Sequence, residues 1–199
     1  MAIFAKRFVK GRLAEFDKDM RICLRPFATN GSTRPAHAYF PALAACCGMR
    51  EYLTALSRGN LHGIGWTQVA GWAERFLPQP DYNRDTVHVL FEAFRHPIAH
   101  RGIASGVWVD RRPHARNARR VTWKLLANAK RPACDIVEEH GELKRDPPWP
   151  CPYTHRARIH HRSLWIDIQG AAKGFTTAIG ADEPLRGNFE ACMRQLYPL

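Results

Sequence analysis

Between Phe94 and Gly102 the chain reads FRHPIAHRG, and Arg95, His96, His100 and Arg101 fall within seven residues. Arginine is permanently charged and offers a planar fork to phosphate oxygens. Histidine donates or accepts a proton near neutral pH. Together they suit phosphodiester cleavage in RNA, which carries its own nucleophile, the 2′-hydroxyl. A base or acid and a charge stabiliser then suffice, with no metal or other cofactor. On one straight helix Arg95 and His100 would sit on different faces, ~7.5 Å apart along the axis. Pro97 removes a donor, clashes with the preceding turn and biases His96 toward an extended backbone. The expectation is therefore a break at His96, with Pro97 opening a new turn, that aims Arg95 and His100 at one small anion.

The surrounding charge points to a polyanionic partner. The 199-residue chain has a net charge of +12. Ten basic residues and one acid, Asp110, lie between Arg95 and Arg131, so this segment holds +9 of the total. Arg101, Arg111, Arg112, Arg116, Arg119 and Arg120 are the expected phosphate contacts, holding RNA through its backbone rather than its bases. A solvated basic loop is the alternative, as is a helix end at which Arg95 and His100 complement free carbonyls.

Several helices must position these groups. Val9, Leu13, Phe16, Met20 and Cys23 form one stripe and predict a helix over residues 5–24. Ser32 or Thr33 is expected to cap a second, with Pro35 in its first turn, running to about Ser57. A third covers roughly Thr67 to Leu77. Asn83 caps a fourth, whose Val87, Leu90, Phe91 and Phe94 recur at core-facing spacing and lead into the Arg95 segment.

The period then changes to two in GVWVD (106–110) and RVTWKLL (120–126), which predicts a β-hairpin with a long charged tip. Residues 127–156, rich in proline and charge, suggest no element, and ARIHHR suggests a further strand. Ile168, Ala172, Phe175 and Ile179 restore helical spacing, and Asp182 is placed to cap a last helix carrying Leu185, Phe189, Cys192, Met193 and Leu196.

An Arg, a polar residue and then a His at the end of an amphipathic helix resemble the R-x4–6-H motif of the HEPN superfamily. Arg95, His96 and His100 fill it here, with Ala99 before the His and Gly102 after it. The resemblance implies a mainly α fold, a HEPN-like up-and-down helical bundle that dimerises and brings two motifs to a shared cleft. It also implies a metal-independent endoribonuclease, with a role as a toxin or defence effector and an antitoxin or other regulatory protein as a partner. Arg95 would hold the phosphate, His100 would transfer protons and His96 would support them. Other members have lost catalysis, so a catalytically inactive nucleic-acid- or partner-binding module is the alternative. The resemblance covers residues 5–103 and 164–199 of one domain. The β-containing basic segment 104–163 departs from the minimal bundle as an insertion.

Other signals are weaker. Cys134, His140, Cys151, His155, His160 and His161 lack a C-x2-C pair, and the reading includes no metal. Cys46 and Cys47 lie mid-helix among alanines and suit the core. Trp108 or Trp123 could stack on an unpaired base, against burial in the hairpin. No apolar run approaches the ~20 residues that span a bilayer, and no leader-like segment opens the chain, so a cytoplasmic protein is expected.

Overall fold

A computed structural model describes residues 1–25, 27–29, 32–34, 38–112, 119–143 and 149–198. Helix α2 (Tyr39–Arg58) is the element around which the others gather, with ten of its twenty residues buried. Helix α1 (Ala2–Cys23) buries Ala5, Val9 and Met20, and α3 (Trp66–Phe76) buries Val69, Ala70, Trp72 and Ala73. Helix α4 (Arg84–Val89) begins at the expected cap, where the Thr86 N–H donates to Asn83 Oδ1 at 2.9 Å. It continues without a gap through a π-helical turn (Leu90–Arg95) into α5 (His96–Arg101).

Helix α6 (His161–Ala181) buries Ile168, Ala172, Phe175 and Ile179, the four residues of the predicted stripe. Helix α7 (Glu183–Leu196) starts where the Leu185 N–H donates to Asp182 Oδ1 at 2.8 Å. It is tied to the end of α2 by Asn188 Nδ2 donating to the Ser57 carbonyl at 2.8 Å. That end is closed by Gly59 at φ +77°, and a Cβ there would meet Asn188 Oδ1 at 3.0 Å. The site therefore requires glycine for both conformation and space.

The second predicted helix begins later than its sequence suggests. Ser32–Arg34 is a strand, β2, paired antiparallel with β1 (Phe27–Thr29), and α2 starts at Tyr39 without a side-chain cap. Pro35 lies outside the described residues.

The larger correction concerns fold class. The chain is mostly helical, but its helices do not form an up-and-down bundle carrying a small hairpin. They share a core with a four-stranded mixed sheet of order β3-β4-β6-β5, made of β3 (Trp108–Asp110), β4 (Arg119–Leu126), β5 (Cys134–Glu142) and β6 (Pro152–His160). The predicted hairpin exists as β3 against β4, with Trp108 opposite Val121. Beyond it, β6 lies parallel to β4, from Val121↔His155 to Leu126↔His160, and antiparallel to β5. Val121, Leu125, Ala133, Cys134, Ala157 and Ile159 share one core with the helices.

The sheet was hidden because β5 is only half-buried and reads CDIVEEHGE, with charges where strand residues face solvent. A register shift between Glu138 and Gly141 further disrupts its period. Gly141 lets the strands close, since a Cβ there would lie 2.5 Å from Tyr153 Oη. No helix of the described residues is long and apolar enough to cross a membrane.

Candidate functional site

The Arg95–Arg101 segment is anchored from below. Leu90, Phe91, Ala93 and Phe94 of the π-turn are buried, as are Pro97 and Ile98 of α5. Arg95, His96, His100 and Arg101 point the other way, Arg95 half-buried and the other three exposed. At the far end Gly102 adopts φ +77° and its N–H closes the helix on the Ile98 carbonyl at 2.9 Å.

The expected break at His96 does not occur. Arg95 (φ −56°, ψ −52°) and His96 (φ −63°, ψ −51°) are both helical. The helix instead widens before the proline, and the His96 N–H donates to the Phe91 carbonyl five residues back. A π-turn gives the proline ring room in the preceding turn and rearranges the bonds that its missing donor would leave open. Tertiary burial of Pro97 and Ile98 thereby overrides the extended bias of the residue before proline.

This geometry pairs the two histidines. Their rings lie 4.5 Å apart between centroids, at 56°. They are four residues apart and so share one face of α5. Arg95, one residue earlier, turns to α2. Its Nε donates to Glu51 Oε1 at 2.5 Å and its Nη2 to Glu51 Oε2 at 2.6 Å. Its guanidinium carbon also lies 5.2 Å from the centre of the Phe91 ring. Bidentate, charge-assisted and stacked, Arg95 is fixed rather than free to sweep.

The basic segment is less available than its charge implies. Arg112 donates to Asp110 Oδ2 and Asp85 Oδ1, both at 2.6 Å. Arg119 donates to both Asp85 oxygens at 2.8 Å and to Asp110 Oδ2 at 3.0 Å. Two arginines and two carboxylates thus tie the β3–β4 hairpin to the first turn of α4. Burial pushes Asp85 up, but hydrogen bonds from Arg119 and Arg112 outweigh it and hold the carboxyl at about 2. Asp110, with a side chain 1% exposed, is lowered on the same balance. Arg120 Nε donates to the Pro152 carbonyl at 2.6 Å. Arg101 and Arg111 are exposed, and Arg116 lies outside the described residues.

Trp108 and Trp123 are partly buried against the core, whereas Trp149 is exposed. Trp108 packs against His88 at 5.5 Å between ring centroids, and Trp66 against the same ring at 4.7 Å. Burial, and then the charge of Arg112, lower the pKa of His88. Trp123 Nε1 donates to the Ser105 carbonyl at 2.8 Å. Cys46, Cys47 and Cys134 are buried, and burial pushes the Cys134 thiol up to about 12. His161 lies between the Leu126 and Tyr39 carbonyls, and His160 Nδ1 is 2.6 Å from Asn128 Oδ1. Among the described residues no group of three His, Cys, Asp or Glu side chains is placed to hold a metal ion.

Sequence reasoning missed Glu51, Asp85 and buried Arg50. Each acid lies on another element than its arginine, 44 and 27 residues away, and carries no local signature. Arg50 carries no sequence signal that sets it apart from a solvent-facing arginine. It is 1% exposed, with Nη2 3.4 Å from Cys47 Sγ. No protein-family model, curated protein or solved structure matches the chain.

Proposed function

We propose that the chain is a metal-independent endoribonuclease, acting at the Arg95–His96–His100 face through a motif similar to that of the HEPN superfamily. The observation that carries the reading is the exposed histidine pair, rings 4.5 Å apart, beside an arginine held rigid by Glu51 and Phe91. RNA cleavage by its own 2′-hydroxyl needs a proton taken from that hydroxyl and one given to the departing 5′-oxygen. His100 performs proton transfer with His96 beside it, and Arg95 stabilises charge on the phosphoryl oxygens. The 2′-oxygen bonds to phosphorus, the bond to the 5′-oxygen breaks, and a 2′,3′-cyclic phosphate remains. Exposed Arg101 and Arg111 gather the strand. A homodimer would bring a second motif to the same phosphate. A toxin or defence effector paired with an antitoxin is the biological role consistent with this activity.

One observation favours a second reading, a catalytically silent binding module. Glu51 occupies two of the donors on Arg95, as it would for an arginine that only fastens two helices together. The deciding experiment incubates purified protein with mixed RNA in EDTA. Cleavage leaving a 2′,3′-cyclic phosphate, lost by ~10²–10⁴-fold in His100→Ala with the melting temperature unchanged, supports the enzyme. Intact RNA, or equal cleavage of DNA, refutes it.

A further inference from the structure

Arg95 cannot offer its whole guanidinium to a ligand. Of its five N–H donors, one on Nε and one on Nη2 are taken by Glu51 in parallel bonds of 2.5 and 2.6 Å. Among the described residues, both donors on Nη1 and one on Nη2 remain without a partner. The Glu51 side chain is 15% exposed and that of Arg95 30%, so the acid is the more buried partner and the arginine the one that reaches water. Glu51 stands on α2 between buried Arg50 and half-buried Tyr52, on a helix with ten of its twenty residues buried. The π-turn supplies the third restraint, placing the Phe91 ring 5.2 Å from the guanidinium carbon. Carboxylate, ring and helix together restrain a guanidinium that stays partly open to water.

We infer that Glu51 is a positioning residue of this site, holding Arg95 so that its Nη1 edge is the phosphate-binding face. The inference rests on the ribonuclease reading and deepens it. Glu51 also neutralises the formal charge of Arg95. Phosphate is therefore held there by the directed Nη1 donors rather than by net charge, and these donors gain further when charge accumulates on the phosphoryl oxygens. Removal of Glu51 frees the arginine to take other rotamers, and a misplacement of ~1 Å can cost ~10²-fold in rate.

The test compares Glu51→Ala, Glu51→Gln, Arg95→Ala and the double variant Glu51→Ala/Arg95→Ala, with melting temperatures measured alongside. The first readout is cleavage of RNA in EDTA. Glu51→Ala should lower kcat by ~10–10²-fold with KM changed less than ~3-fold, and Glu51→Gln should fall between it and the wild type. The double variant should equal Arg95→Ala alone, because Glu51 acts only through that side chain. A purely structural Glu51 predicts additive losses or none, and either overturns the inference. A rise in cleavage on Glu51→Ala also overturns it, since the carboxylate would then be a lock rather than a support.

The second readout is binding of 2′-O-methyl RNA, which lacks the nucleophile. If the wild type cuts no RNA, the ribonuclease reading fails on its own. Glu51 still positions Arg95 for phosphate if Glu51→Ala and Arg95→Ala weaken this binding non-additively. Equal binding by all four variants and the wild type removes that role as well. If Glu51→Ala unfolds, Glu51→Gln carries the same comparisons.

Discussion

The two arginines at the foot of the β3–β4 hairpin should support the fold rather than hold RNA. Asp110 is 1% exposed and receives Arg112 at 2.6 Å and Arg119 at 3.0 Å. Removal of both arginines leaves that carboxylate buried without a counter-charge. Breaking a buried ion pair by deleting one side typically costs ~3–5 kcal/mol. Arg119→Ala alone should cost less, about 1–3 kcal/mol, because Arg112 still faces both Asp110 and Asp85. For a chain of this length ~1 kcal/mol moves the melting temperature by ~2–4 °C. Arg112→Ala/Arg119→Ala should therefore melt ~6–20 °C below the wild type.

Exposed Arg111, their neighbour, should behave in the opposite way. Arg111→Ala should change stability by less than ~0.5 kcal/mol. It should also reduce the slope of log affinity for single-stranded RNA against log salt by ~0.7, the contribution of one phosphate contact. Differential scanning calorimetry and fluorescence anisotropy over a salt series separate the two effects. A double variant that keeps its melting temperature within ~2 °C while its salt slope falls by ~1.4 refutes the reasoning. The arginines would then leave their acids for phosphate.

Other outcomes follow from the same structure. Asp85 is held at about 2 against an ordinary 3.8, so its contribution is full above about 3.8 and disappears as pH falls through about 2. That difference corresponds to about 2.4 kcal/mol, discounted to about 1 because the side chain is 40% exposed. Urea unfolding of Asp85→Asn should show the deficit at pH 7 and none near pH 2. Phe94→Ala, which empties a fully buried site beneath Arg95, should cost ~3–5 kcal/mol by chemical denaturation. In the native protein, iodoacetamide at pH 8 should leave Cys46, Cys47 and Cys134 unlabelled, as mass spectrometry of the digest would read, because burial keeps these thiols protonated and out of reach.

Local signals carried the helices. Asn83 and Asp182 cap the expected elements, and the Val87–Phe94 and Ile168–Ile179 stripes are buried. These depend on side-chain spacing and on bonds spanning three residues, both present in the linear sequence. The β4–β6 pairing brings together residues 34 apart in sequence, Val121 and His155. No short window contains that relation, and the charged, bulged β5 offered no clean alternation. At the site, the sequence gathers Arg95, His96 and His100 but does not reveal their partners. Two effects were unreadable: a distant carboxylate turning Arg95 toward α2, and a change of helical pitch substituting for a break at Pro97.

That change of pitch makes the aim of the site a matter of phase. A π-turn amounts to one extra residue accommodated within an α-helix. If Ala93 were deleted, Leu90–Arg101 could wind as ordinary α-helix with its later residues still in phase, at the cost of the room that the wider turn gives Pro97. A residue inserted there, with no second π-turn to absorb it, would instead rotate everything after it by ~100° about the axis. Pro97 and Ile98 would leave the core, and His96 and His100 would swing round toward it. No alanine substitution reproduces that outcome, because every side chain would be kept and only its bearing would be lost. In this protein a single-residue insertion between Leu90 and Arg95 should be a graver lesion than the loss of any one polar group the segment displays.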